Sequence, residues 1–399
     1  MNTTESQISE KFSLKRILIP LIIGLAAATF LLVENLGEKR FQEAKQDEKG
    51  VYEWVDNNGD GIVNHKDSKE FKKVKKGEGK YVKKSYKELL YDINWTWYST
   101  LWLFVAILMM VIRDVAYMYR IRVMTDYAIS WRRSLSVIML WEFASAATPS
   151  IVGGAGIALF IVNREGISMG KSTAIVMVTA MLDELFYITM VPTLLLVLGT
   201  AQLFPENLGA GITQSTMGIF WVGYFFLFLL ILIILLAVFR FPRNFKYILI
   251  KVFKLPFLKK FRYNALKTGN DIIVTSTELK GKPFKFWFKA YLATFFSWTG
   301  RYWVVNFIIM AFTTSTIPLM EHFLIYARQL VVWVIMLISP TPGGSGVAEI
   351  AFSGFLEEFI PLGLVGALAF LWRLISYYPY LFIGAAILPG WLKNTRSQV

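Results

Sequence analysis

The 399-residue chain has no cysteine and only two histidines, His65 and His322. Lack of cysteine excludes disulfides, thiol nucleophiles and thiolate metal sites. Two isolated histidines supply neither a histidine-based triad nor a histidine metal cluster. Neither the glycine-rich stretch at 153–156 nor the one at 343–346 runs into the Gly-Lys-(Ser/Thr) of a P-loop, which argues against ATP hydrolysis by this chain. Acids are outnumbered as well, 28 against 42 Lys and Arg, for a formal charge of +14. What the chain does have is apolar sequence: 55% of its residues are hydrophobic and mean hydropathy is +0.48. Several mostly apolar runs are long enough for a hydrocarbon core of ~30 Å. The expected fold class is therefore an all-α polytopic membrane protein. Because the basic residues flank apolar spans, they are read as topology signals and contacts to anionic headgroups, not as a nucleic-acid surface.

Five segments are expected along the chain. Residues 1–33 hold an apolar run from Ile17 to Val33 after Lys11, Lys15 and Arg16, read as an uncleaved span; a cleaved signal peptide is the alternative. Residues 34–94 form a polar, extracytoplasmic insertion. Within it Asp56, Asn58, Asp60, Asn64 and Asp67 stand at positions 1, 3, 5, 9 and 12 of an EF-hand-like calcium loop, with the Ile62 carbonyl at 7 and Gly61 at the turn. A structural calcium ion is the expected cofactor, and a solvated Asn/Gly turn is the alternative. Residues 95–239 and 290–399 carry the remaining spans. Between them residues 240–289 are dense in Lys and Arg with only Asp271 and Glu278 opposing, a cytoplasmic signal. That segment is either an amphipathic helix on anionic headgroups or a solvated basic loop.

Two stretches interrupt the apolar pattern: Pro149, Gly153, Gly154 and Gly156 in one, Pro340, Pro342, Gly343, Gly344, Gly346 and Glu349 in the other. Proline removes a backbone donor and glycine loosens the helix, so each stretch is read as the tip of a re-entrant hairpin. Charge placement after Ile112, with Arg113 and Arg120 taken as marking the cytoplasmic side, makes the two hairpins enter from opposite faces. The result is a pair of inverted repeats with both termini cytoplasmic, an arrangement found in transporters. A helix restarting after Gly156 or Gly346 would aim its amides at a phosphate or carboxylate; the plainer reading is that the glycines only allow close packing. Ionisable residues at membrane depth are Glu142, Asp183, Glu184, Glu349, Arg301, Arg328 and Arg373. Arg373 is the strongest candidate for a phosphate, with structural pairing to Glu349 or Glu184 as its alternative.

Pro149 to Gly154, Pro340 to Glu349, and Arg373 followed by Pro379 and Gly384 together resemble the flippase-like transmembrane region of the lysylphosphatidylglycerol synthase family. The resemblance covers roughly residues 95 to 390. It implies an integral protein of the bacterial inner membrane that moves a lipid, or a lipid-linked headgroup, between leaflets. The synthase domain is missing, so aminoacylation is not carried over. The expected function is a lipid flippase or transporter working without ATP. A membrane-embedded enzyme acting on a lipid-linked substrate, with Asp183 or Glu184 as base, and a structural partner subunit are the other readings.

Overall fold

The computed structural model describes residues 39–44, 48–57, 59, 63, 65, 67–85, 88, 95–148, 151–205, 210–255, 262–313, 316–336, 341, 344–361 and 363–395, with 22 and 26. The expected first span, apart from 22 and 26, lies outside these residues, as do Asn58, Asp60, Ile62 and Asn64 of the calcium-type loop.

The insertion corrects the all-α expectation. It forms a four-stranded antiparallel sheet of β1 (Lys39–Glu43), β2 (Tyr52–Trp54), β3 (Phe71–Lys73) and β4 (Tyr81–Ser85), in the order β1-β4-β2-β3. Phe41, Phe71 and Tyr81 gather into its small core, with Phe41 stacked on Phe71 at 4.0 Å. Charged residues between the aromatics hid this alternation. The calcium-type loop runs from β2 to a 3-10 turn (Ser68–Glu70), so helices flanking an EF-hand loop are absent among the described residues. The base of the loop is tied: Val55 N–H donates to the Glu70 carbonyl at 2.8 Å, and the Asn57 amide to the Lys69 carbonyl at 2.7 Å.

Beyond the insertion the chain is helical. The first half comprises α1 (Trp97–Met124), α2 (Trp131–Ala147), α3 (Ile151–Arg164) and α4 (Met169–Leu198). Ser130 and Ser168 begin α2 and α4 by accepting the Arg133 and Lys171 amides. Gly199, at φ 79°, closes α4. Then come α5 (Ala210–Leu235), α6 (Pro242–Val252) and α7 (Arg262–Leu279). The second half comprises α8 (Phe284–Phe312), α9 (Leu319–Met336), α10 (Val347–Leu356), α11 (Val365–Ser376) and α12 (Tyr378–Thr395). Helices α1, α4 and α9, the segment Thr213–Arg240 and α11 with α12 are long and apolar enough to cross a membrane. The protein is a polytopic α-helical membrane protein.

Packing places the two halves in matching surroundings. The longest contact joins α1 to α8, and a Cβ on Gly300 would sit 3.0 Å from the Met109 carbonyl. Helix α2 packs on α1 and α3, and α9 on α8 and α10. Each of these two helices also packs on the last helix of the other half: α2 on α12, and α9 on α4. The basic segment is not a plain loop. Helices α6 and α7 pair with each other, and α7 lies on α4.

Candidate functional site

The first break sits between α2 and α3, which span about 25 and 21 Å at 1.5 Å per residue. Thr148 ends α2 by donating its hydroxyl to the Ala144 carbonyl at 2.7 Å. A Cβ on Gly154 would fall 2.9 Å from Ser145 Oγ, so this glycine lets the two arms approach; Gly156 faces open space. Gly153 lies within α3, and Pro149 is outside the described residues. At the opposite end Arg133 and Glu165 are 3.8 Å apart, which brings the start of α2 to the end of α3. Trp391 donates to Glu165 at 2.6 Å and Arg164 donates to Thr395 at 2.7 Å, fastening that end to α12.

The second break lies between α9 and α10; Pro340, Pro342 and Gly343 fall outside the described residues. Gly344 and Gly346 adopt φ of 67° and 87°, a region open to glycine. Glu349 folds back over the start of α10 and accepts the Gly346 amide at 2.7 Å. Its other oxygen is 3.0 Å from Arg373 Nε. Arg373 also donates to Ser345 at 3.1 Å and lies 3.7 Å over the Tyr377 ring. The helix start expected to receive a phosphate is thus filled by the chain's own carboxylate, and the candidate phosphate-binding arginine is paired with it.

Tyr377 links the two breaks. Its hydroxyl donates to the Ala146 carbonyl in the last turn of α2 at 3.0 Å, while its ring supports Arg373 of α11, the partner of Glu349 at the second break. The chain bends at this residue, passing from α11 to α12 just before Pro379. Gly384, one step further along α12, lies so close to α2 that a Cβ there would meet Phe143 Cβ at 2.2 Å.

The other acids and bases sort into groups. Arg113, fully buried, is 2.6 Å from Glu142 and 2.7 Å from Asp114, and is flanked by the Tyr117 and Tyr380 rings. Tyr380 donates to Asp114 at 2.9 Å, which joins α1, α2 and α12. Two turns along α1, Arg120 donates to Asp183 at 2.6 Å and to Thr294 at 2.9 Å, and Trp298 donates to Asp183 at 2.9 Å, joining α1, α4 and α8. Arg328 donates to the carbonyls of Gln202 and Phe355 and lies 3.0 Å from Glu358, so it clamps helix ends together. Glu358, on the more exposed side of that pair, serves the clamp. Arg301 lies over the Trp298 ring at 5.5 Å. Glu184 is buried, and its Oε2 has no hydrogen-bond partner among the described residues.

Arg113 and Arg120, read from sequence as marking the cytoplasmic side, are placed by the structure among carboxylates of neighbouring helices. They lie buried within α1 because their partners neutralise them. The signal available was the apolar residues continuing to Met124 around them. Asp114, Tyr117, Tyr377 and Tyr380 were also missed, since neither aromatic stacking nor a carbonyl partner leaves a mark in linear sequence.

A family model described as the lysylphosphatidylglycerol synthase TM region matches residues 83–384. A UPF0104 membrane protein of Archaeoglobus fulgidus is 28% identical over 306 residues, covering 73% of this chain and 85% of that protein. No solved structure matches the chain.

Proposed function

Because the chain belongs to the family of the lysylphosphatidylglycerol synthase TM region, we propose that it is a lipid flippase or transporter, moving a lipid or lipid-linked headgroup between leaflets without ATP hydrolysis. The observation that carries this reading is the run of contacts from Ala146 through Tyr377 and Arg373 to Glu349, which ties the first break to the second. It supports two re-entrant hairpins, α2 with α3 and α9 with α10, meeting within the bilayer. The crosswise packing of α2 on α12 and α9 on α4 supports inverted repeats, residues 95–239 and 290–399, in which each hairpin leans on the other half. Rocking one half against the other would expose the meeting point to each side in turn. The basic residues of 240–289 put that segment and both termini in the cytoplasm by the positive-inside rule.

In this reading the glycines at the breaks bring backbone close to a headgroup. Glu349 and Arg373 form an internal pair that the headgroup must open, because the helix start at Gly346 is otherwise filled. A phosphate would replace Glu349 at the Gly346 amide and on Arg373. Arg301, half-buried over Trp298, would offer the headgroup a cation without an ion pair being broken. Glu142 and Asp183 hold the helices around the site through Arg113 and Arg120.

The insertion is proposed to hold a structural calcium ion with Asp56, Asn58, Asp60, Asn64, Asp67 and the Ile62 carbonyl. The tied loop base fits this, since it closes the loop by bringing Val55 and Asn57 to Glu70 and Lys69. The transport reading is tested by reconstitution into liposomes with fluorescent anionic, zwitterionic and cationic lipids. Leaflet exchange above empty vesicles is expected for at least one headgroup class, and none for any class would overturn it.

A further inference from the structure

Glu184 stands apart from every other charge network in the helical region. It is 5% exposed, and its Oε2 lacks a hydrogen-bond partner among the described residues. Its neighbour Asp183 accepts from both Arg120 and Trp298. Charged and titratable groups on the helices packed against α4 are engaged elsewhere. On α3, Arg164 is held by Thr395 and the Leu392 carbonyl. Helix α5 contains no charged residue, and its Tyr224 donates to the Ile188 carbonyl. The α7 end meets α4 at Lys171, Ala174 and Ile175, where Glu278 and Lys282 lie, roughly 14 Å or more along the helix from Glu184. On α8, Arg301 stacks on Trp298, Lys289 donates to Tyr127, Tyr291 shares a hydrogen bond with Thr189, and Tyr302 with Tyr187. On α9, Arg328 is clamped as described, Tyr326 pairs with Thr299, and His322 with Asn306.

The position of Glu184 relative to the second break follows from two contacts. Arg328 of α9 reaches Gln202, beyond the end of α4, whereas Trp333 stacks on Tyr187 at 3.8 Å. The two helices therefore run antiparallel. Moving from Tyr187 back one turn to Glu184 matches moving from Trp333 to Met336, where α9 ends and the break begins. Met336 touches that break, since a Cβ on Gly344 would lie 2.5 Å from its Cε.

A carboxylate buried without a cation or donor is costly, and such a group neutralises by taking up a proton. Resting on the transport reading above, we infer that Glu184 is a proton-binding site that couples lipid movement to a proton gradient. Displacement of the second hairpin uncovers the carboxyl to water on one side, where an O–H bond forms. Return of the hairpin buries the neutral acid, and the opposite opening lets the proton leave to the other side. No other reactant is consumed. The absence of a counter-ion among the described residues is what makes the site suitable, because a fixed arginine would hold the carboxylate charged in both states.

The test uses the full chain in proteoliposomes with fluorescent lipid and an imposed pH gradient of either sign. Wild type is expected to change its exchange rate with the gradient, Glu184→Gln to lose that response while keeping gradient-independent exchange, and Glu184→Asp to retain it. A Glu184→Gln protein that responds as wild type does, or that changes headgroup preference alone, overturns the inference. Infrared difference spectra between acidic and alkaline pH give a readout that does not depend on transport. A carboxylic-acid carbonyl band present in wild type and lost in Glu184→Gln is expected, and identical spectra overturn the assignment. Should wild type move no lipid under any condition, the transport reading falls on that result, and the spectra still decide whether Glu184 binds a proton.

Discussion

Glu349 and Arg373 offer the sharpest prediction about the second break. Both are buried, at 0% and 2% exposure, and their pairing distance is 3.0 Å. Removing one partner of such a pair strands the other charge, at a cost of about 3–5 kcal/mol. Glu349 has a second duty as acceptor of the Gly346 amide, and losing a helix-start acceptor costs ~1 kcal/mol. Glu349→Gln keeps an oxygen for that amide but strands Arg373, so a loss of about 3–5 kcal/mol is expected, and Glu349→Ala should lose ~1 kcal/mol more. Arg373→Met strands Glu349 and should fall in the same range. The double variant Glu349→Gln with Arg373→Met strands nothing, so its loss should lie well below the sum of the two singles, with a coupling of ~2 kcal/mol or more. Reversible unfolding in mixed micelles, followed by tryptophan fluorescence, measures all four proteins. Additivity of the two singles within ~0.5 kcal/mol would refute the pairing.

Further predictions concern other contacts. Arg113→Lys keeps the charge but loses the planar stack between Tyr117 and Tyr380 and the geometry that serves Asp114 and Glu142; thermal unfolding should show it destabilised, though less than Arg113→Leu, which leaves two half-buried acids without their cation. Gly384→Ala must push its new methyl into Phe143 and should lose ~1–3 kcal/mol, while Gly390→Ala, facing open space, should lose nothing. At the α1–α2 turn, burial works against the Asp126 carboxylate, but hydrogen bonds from Lys171 and Lys282 win and hold its carboxyl below the ordinary range. A lowered value in the folded state means that the stabilisation is present above the unfolded value of ~3.9 and is lost as pH falls through the folded one. The stability gap between wild type and Asp126→Asn should therefore stay constant from neutral pH down to about 5 and close at more acidic pH. Calorimetric titration of the full chain with calcium should show binding that Asp60→Ala abolishes, and no heat at millimolar calcium would retire the metal proposal.

Much of the helical region was legible because its signals are local. The glycine and proline clusters interrupt apolar runs, and an acid followed later by Arg373 marks the second break; the family resemblance rested on those same residues and is shown by the match over 83–384. The pairing of Glu349 with Arg373, held open in the sequence as an alternative to phosphate binding, is what the structure contains. Distance effects were not legible. Arg120 reads as a boundary charge until its partner, 63 residues away, is brought beside it. Arg328 reads as a headgroup ligand, yet its donors go mainly to carbonyls, which every residue carries. The sheet of the insertion was concealed by lysines and glutamates on its exposed face, and its aromatic core consists of single residues drawn from three strands.

The central claim is that the two halves rock against each other as lipid crosses. Ala146 of the first hairpin and Tyr377, between α11 and α12 of the other half, share a hydrogen bond of 3.0 Å, and the chain's lack of cysteine makes a pair of introduced cysteines unique. Ala146→Cys with Tyr377→Cys, joined by a short reducible crosslinker in proteoliposomes, is the direct measurement. Lipid exchange should stop when the two halves are joined and resume on cleavage of the linker. Exchange that continues at the same rate with the halves joined would contradict the account.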